Sequence, residues 1–126
     1  MSNIFLVMTA GSLGALARYG VGLAARSLLP PTFPFGTLIV NVTGCLIIGF
    51  VMQICPDERF ISKPAKLFLA TGFLGAFTTF STFGYETFGM MRDGQWLLAT
   101  ANAAANLILG LLAVWCGLIL ARWVSP

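Results

Sequence analysis

The stretch GFLGAFTTFSTFG, residues 72–84, combines the apolar character of a membrane segment with residues that hold an α-helix poorly. Its four phenylalanines alternate with three glycines, three threonines and one serine. Glycine and β-branched threonine weaken helices, and hydroxyl side chains satisfy backbone groups that an interrupted helix releases. Interrupted membrane helices are tolerated where protein or water covers them, and they commonly build ion sites. The stretch therefore predicts a transmembrane helix that is broken near its middle.

The rest of the chain consists of apolar segments joined by short connections. Of its 126 residues, 58% are hydrophobic and 9% are charged, whereas soluble domains carry about 25% charged residues. Four apolar segments, residues 4–29, 35–55, 65–91 and 96–124, each reach the ~20 residues that a helix needs to cross a bilayer. The sequence predicts an all-α membrane protein that forms one four-helix transmembrane domain over residues 1–126.

The residue types needed for catalysis or nucleic-acid binding are scarce. The chain has no histidine, and most of its four acidic residues lie in or beside connections, so proton transfer and hydrolysis lack an obvious base. The three cysteines show no metal-ligand spacing and are expected to be packing residues. The net charge of +3 comes from residues scattered singly near segment ends. We therefore expect a membrane protein that is not an enzyme and has no nucleic-acid partner.

Two polar residues in the first two segments each allow a structural and a functional interpretation. Arg18 lies about fourteen residues into the first segment. In the structural interpretation, its side chain snorkels to the interface or tethers helix-end carbonyls. In the functional interpretation, it belongs to a site, because a charge inside the membrane costs at least ~2.5 kcal/mol and is a functional-site candidate by default. Asn41 lies on one helix face with Thr37 and Gly44. It either joins helices by hydrogen bonds or donates to an anion in a pore.

Two pairs of residues on the third and fourth segments also allow both a structural and a functional interpretation. Asn102 and Asn106 are four residues apart and share a thin, alanine-rich helix face, which favours close helix contact or a polar wall. Phe80 and Phe83 are three residues apart and share a face if a helix resumes after the break. They either pack between helices or turn their positive ring edges toward a small anion.

The distribution of Lys and Arg gives only a weak orientation signal. With a cytoplasmic N-terminus, Arg59, Lys63, Lys66 and Arg122 lie inside, whereas Arg26 and Arg92 lie outside. The positive-inside rule reads such an excess, and this one is small. A protein with so little bias can insert both ways round, so an antiparallel, dual-topology homodimer is expected.

Three motifs in order carry a family resemblance. GSLGALARYG at residues 11–20, NVTG at 41–44 and the stretch at 72–84 together resemble the Fluc/CrcB family of bacterial fluoride channels over essentially the whole chain. The third motif is highly specific, whereas the first two alone are weak. The resemblance implies a passive, fluoride-selective channel of the bacterial inner membrane, built as an antiparallel homodimer in membrane lipid with two pores.

The resemblance also implies particular residues. Phe80 and Phe83 match the phenylalanines whose ring edges face fluoride, Asn41 the pore asparagine, and Ser81 and Thr82 the adjoining hydroxyl track. The implied fluoride pathway is Arg18, Asn41, Phe80, Ser81, Thr82, Phe83 and Asn106.

A structural sodium ion at the dimer centre is implied at the backbone carbonyls of Gly75 and Thr78 from both copies. Glu86 matches the family's acid after the second phenylalanine. The fourth segment fits less well, because Asn102, Asn106 and alanines stand where some relatives have tyrosine and serine.

Two other functions compete with the channel. Small multidrug-resistance exporters also have four helices and dual topology, but they need a membrane-embedded carboxylate, for which Glu86 is the only candidate. A non-transporting assembly subunit held together by small-residue faces would carry no ion flux at all. Dependence of transport on a pH gradient separates the channel from the first alternative, and flux from purified protein separates it from the second.

Overall fold

The computed structural model describes residues 2–54 and 62–124, and every regular element within those ranges is helical. The elements are α1 (Ser2–Leu28), α2 (Phe35–Ile54), α3 (Lys63–Lys66), a π-helical segment (Leu67–Leu74), α4 (Gly75–Phe77), α5 (Phe80–Arg92) and α6 (Trp96–Val124).

Four helical stretches are long and apolar enough to cross a membrane: Asn3–Leu28, Phe35–Ile54, Lys63–Arg92 and Trp96–Val124. This confirms the prediction of an all-α chain with four membrane-spanning segments. The predicted end of the second segment at Cys55 and the charged turn around Asp57, Glu58 and Arg59 lie outside the described residues.

Local sequence explains the helix ends. Prolines 30, 31 and 34 separate α1 from α2, because proline cannot continue a helix and restricts the residue before it. Ser62 caps α3 by accepting a hydrogen bond from the Ala65 N–H. Gly94 has φ of 75° in the turn between α5 and α6, a conformation that glycine adopts without steric cost.

The third spanning segment is interrupted at two threonines. α4 ends at Phe77, Thr78 and Thr79 are both extended, and α5 begins at Phe80. The glycines are expected to weaken the helix, but the chain does not break at Gly75, which lies inside helical turns. The chain breaks at Thr79 because its hydroxyl caps α5, accepting from the Thr82 N–H. The depth of this interruption in the bilayer stays a prediction.

Small residues let the helices approach closely. α2 packs against α6, where a Cβ added at Gly117 would overlap the Leu46 carbonyl oxygen. α1 packs against the π-helical segment, where a Cβ added at Gly14 would overlap the Phe73 carbonyl oxygen. Such contacts hold membrane helices together by van der Waals packing. They bring α2 and α6 alongside the interruption.

Candidate ion pathway at the helix interruption

Asn41 of α2 holds the extended backbone of Thr79. The Thr79 N–H donates to Asn41 Oδ1 at 2.9 Å, and Asn41 Nδ2 donates to the Thr79 carbonyl at 3.2 Å. Thr79 is buried, so the backbone groups that the interruption releases require protein partners. One amide side chain therefore supplies both a donor and an acceptor to the interruption.

The same amide is tied to α6. Asn41 Nδ2 also donates to Asn106 Oδ1 at 2.9 Å, so both N–H groups of Asn41 have protein acceptors. These contacts are the ones expected if Asn41 joins helices by hydrogen bonds. Asn106 Nδ2 in turn donates to the side-chain and backbone oxygens of Asn102, each at 3.0 Å.

A third contact returns this chain of hydrogen bonds to α5. Asn102 Nδ2 donates to Thr87 Oγ1 at 2.8 Å, and the Thr87 hydroxyl donates to the Phe83 carbonyl at 2.7 Å. The four-residue spacing correctly placed Asn102 and Asn106 on one helix face. Sequence reasoning missed Thr87 because its partner lies on another helix, a relation that no local pattern records.

The two predicted phenylalanines contact each other at the start of α5. The ring centroids of Phe80 and Phe83 lie 5.5 Å apart with the ring planes tilted by 52°. Phe80 is 82% exposed and Phe83 is half-buried, and the neighbouring Ser81 and Thr82 are exposed. The chain therefore presents this aromatic and hydroxyl-bearing face on its surface.

Two ionisable side chains lie near the interruption. The half-buried Arg18 directs Nη1 toward the Thr78 carbonyl oxygen at 3.4 Å, the helix-end tether considered for this residue. The Thr37 hydroxyl donates to Glu86 Oε1 at 3.0 Å, whereas Glu86 Oε2 is buried without a partner among the described residues. The sequence had placed Thr37 beside Asn41 but had not paired it with Glu86.

Two cavities share Thr79 in their lining. A cavity of about 820 Å³ is lined by residues that include Arg18, Thr82 and Glu86 as well as Thr79. A second cavity of about 360 Å³ is also lined by Thr79. Its lining includes Asn41, Gly75, Thr78, Thr79 and Phe80. Thr79 therefore borders both spaces.

The interruption takes the helical hydrogen-bond donors away from the carbonyls of Gly75 and Thr78. The Thr79 N–H, which would bond Gly75 in a continuous helix, donates instead to Asn41. The Thr82 N–H likewise donates to the Thr79 hydroxyl, not to the Thr78 carbonyl. The interruption thus removes the helical donors from both carbonyls, and that of Thr78 accepts from Arg18 instead; neutral oxygens of this kind bind hard monovalent cations. The neighbouring Arg18 guanidinium opposes a cation there electrostatically.

The fold and this polar site define an integral membrane protein with an interrupted helix. The sequence model of the family described as "CrcB-like protein, Camphor Resistance (CrcB)" matches residues 5–118. The chain belongs to the CrcB family and is a multi-pass protein of the bacterial inner membrane. This confirms the resemblance identified from the three motifs.

Several relatives match over nearly their full length. The chain is 47% identical to the "Fluoride-specific ion channel FluC" of Nitratidesulfovibrio vulgaris, over 98% of this chain and 100% of the relative. It is 42% identical to the protein of the same description from Chloroflexus aurantiacus, over 98% of each. The corresponding Geobacter sulfurreducens protein is 40% identical over 97% of this chain and 98% of its own length.

Proposed function

We propose that this chain is a fluoride-selective channel that exports fluoride passively across the inner membrane and performs no enzymatic reaction. The full-length similarity to relatives described as fluoride-specific ion channels carries the proposal. The site agrees with it chemically. A small, strongly hydrated anion needs many donors to replace its water, and hydroxyls and ring edges supply them without a full buried charge.

The functional unit of the proposal is an antiparallel homodimer with two pores. In one protomer the face carrying Phe80, Ser81 and Thr82 is open. Hydroxyl groups facing lipid are unfavourable, so this face calls for a protein or water cover at membrane depth. A second copy in the opposite orientation provides that cover, and the small Lys and Arg bias permits both orientations.

The proposed pathway begins in the larger cavity. Arg18 at its wall attracts anions, and Glu86 accepts from Thr37, which removes one carboxylate oxygen from direct contact with the ion. The ion then passes the hydroxyls of Ser81 and Thr82 and the edges of Phe80 and Phe83. Asn41 and Asn106 contribute by holding the interruption in shape, since their contacts join α2, α6 and Thr79.

A sodium ion at the dimer centre is part of the proposal. The freed carbonyls of Gly75 and Thr78 from both copies would hold it. When bound, the ion supplies positive charge beside both pores and links the two interrupted helices. Thr78 accepts from Arg18 with one lone pair and retains a second for this role.

The proton-coupled exporter has less support. Its essential carboxylate would be Glu86, which bonds Thr37 and lies on α5, not on the first helix. The relatives named above are all described as ion channels.

The decisive experiment is fluoride efflux from liposomes loaded with potassium fluoride. Purified protein with valinomycin, at equal pH on both sides, should release fluoride, as measured with a fluoride electrode. Potassium chloride liposomes should retain their anion, and protein-free liposomes should retain both. Efflux that requires a pH gradient would favour the exporter, and no efflux under either condition would contradict both transport functions.

A further inference from the structure

A path of hydrogen bonds begins at Thr79, which caps α5, and ends at Phe83 in the first turns of that helix. It leaves Thr79 through Asn41 on α2, crosses to Asn106 and Asn102 on α6, and returns through Thr87 to the Phe83 carbonyl. Its two ends enclose residues 80–82, which carry the exposed phenylalanine and both hydroxyls. The path therefore fixes both ends of the turn that bears the proposed pathway.

Backbone groups fix the direction of every bond in the path. The Thr79 N–H can only donate, so Asn41 must turn its oxygen to it and its nitrogen toward Asn106. Asn106 then directs its nitrogen to Asn102, whose nitrogen meets the Thr87 hydroxyl. The Phe83 carbonyl can only accept, so that hydroxyl donates to it. A flip of Asn41 or Asn106 breaks bonds on both sides, and a flip of Asn102 would break its bond with Asn106 Nδ2 and turn the Thr87 hydroxyl away from Phe83.

The α6 end of the path is sealed from solvent. Asn102 is 0% exposed and Thr87 is 8% exposed, so water has little access to replace a lost partner. The contact from Thr87 to Phe83 resembles the local bond from Thr100 to the Trp96 carbonyl, which is exposed. Of these two threonines, Thr87 is also held by a donor on another helix, so its hydroxyl links the position of Asn102 on α6 to the α5 backbone.

We propose that Thr87 and Asn102 are positioning residues that set the orientation of the α5 turn between Thr79 and Phe83. The proposal rests on the proposed function and deepens it. Both side chains are buried, unlike the exposed Ser81 and half-buried Phe83, and neither lines either of the two cavities, so neither is open to the ion. Their loss should change the ion pathway by releasing Phe83, not by removing an ion ligand. Ordinary interhelical adhesion would instead change only stability.

The test uses two pairs of side chains at position 87 that each differ mainly by the hydroxyl. Threonine and valine have nearly equal volume, and so do serine and alanine. We expect Thr87→Val and Thr87→Ala to slow fluoride efflux per folded protein by about tenfold or more. Thr87→Ser should recover most of the wild-type rate despite its smaller volume. Chloride leak should rise in the two variants without a hydroxyl, because a misplaced pathway discriminates less well.

Thr100→Val serves as the control, since it removes a hydroxyl that bonds a backbone carbonyl outside the path. It should transport like wild type. The double variant Asn102→Leu, Thr87→Val should show fluoride efflux no slower than that of the slower single variant, because both substitutions remove the same hydrogen bond.

Several outcomes would overturn the proposal. Wild-type rates in Thr87→Val, or rates that follow side-chain volume instead of the hydroxyl, would do so. If Thr87→Val does not assemble, the serine and alanine pair decides the same question. Absence of flux from wild-type protein would instead contradict the proposed function.

Discussion

Single residues decide where the third spanning segment breaks. Thr79 caps α5 with its hydroxyl, and the Asn41 side chain bonds both the N–H and the carbonyl of Thr79. A capping residue of this kind contributes about 1 kcal/mol, and each satisfied backbone group avoids a desolvation cost. The extended conformation at Thr78 and Thr79 is therefore built from side-chain contacts, whereas Gly72 allows close packing against Ala10.

At the same scale, the two phenylalanines separate ion contact from packing. Phe80→Ile and Phe83→Ile keep apolar volume but remove the positive ring edges. If those edges carry the ion, even ~3 kcal/mol added to the barrier slows passage by more than a hundredfold. We expect either variant to lose most fluoride efflux while eluting as a dimer of normal size.

Ser81→Ala and Thr82→Ala are the comparison for this experiment and should slow efflux less, because water and other hydroxyls partly substitute. Wild-type efflux through the Phe80→Ile, Phe83→Ile double variant would return both rings to a packing role.

At the scale of elements, α2 and α6 form the frame against which the interruption is set. Their close approach depends on small residues, since a Cβ at Gly49 would overlap the Val114 carbonyl oxygen and one at Gly117 the Leu46 carbonyl oxygen. The bond between Asn41 and Asn106 crosses this same interface. The polar path and the small-residue contact therefore depend on the same helix separation.

Gly117→Ala should force α6 away from α2 and lower the thermal stability of the purified protein. Overpacking of this kind typically costs about 1–3 kcal/mol. The loss should appear in temperature-dependent size-exclusion chromatography. Gly20→Ala is the matched control, because an added Cβ at Gly20 would meet no described atom within 4 Å of the same protomer. Equal stability of the two variants would contradict close packing at Gly117.

At the scale of the whole molecule, one chain does not enclose its own site. Phe80, Tyr85 and Phe88 on α5 are all largely exposed, next to the exposed hydroxyls of Ser81 and Thr82. A face that is both aromatic and polar suits neither lipid nor water alone. The proposed antiparallel dimer accounts for it, since a second copy covers the face and completes each pathway.

Orientation can be shifted by charge to test this assembly. Three lysines added at the C-terminus should bias insertion toward one orientation and reduce fluoride efflux from cells. Co-expression with a copy of opposite bias should restore efflux, and accessibility labelling of the termini reports the orientation of each. Full activity from a protein shown to insert in one orientation would contradict the antiparallel dimer.

The proposed central cation has its own test. Crystals grown in sodium and then exchanged into a heavier monovalent cation should show anomalous scattering between the two interruptions, near the Gly75 and Thr78 carbonyls. Replacement of sodium by a large organic cation should lower the thermal stability of the dimer. Scattering consistent with water alone between the two interruptions would contradict the ion.

The sequence by itself determined the fold class, the number of spanning segments and the family. Hydrophobic length needs no tertiary information, because a segment of about 20 apolar residues can satisfy its backbone in lipid only as a helix. The motifs at 11–20, 41–44 and 72–84 identified the family because residue identity alone carries such a resemblance. The helical spacing of Asn102 and Asn106, and of Phe80 and Phe83, likewise follows from one helix.

Only the tertiary structure decided where the helix breaks and which polar groups meet. Glycines, threonines and serine within residues 72–84 all weaken a helix, so composition could not choose among them. The choice fell on Thr79 because Asn41, from another helix, supplies the missing partners. The hydrogen bond from Asn102 to Thr87, fifteen positions apart in sequence, likewise joins two different helices. A buried hydrogen bond between helices depends on their separation and rotation, and these are properties of packing that no single segment contains.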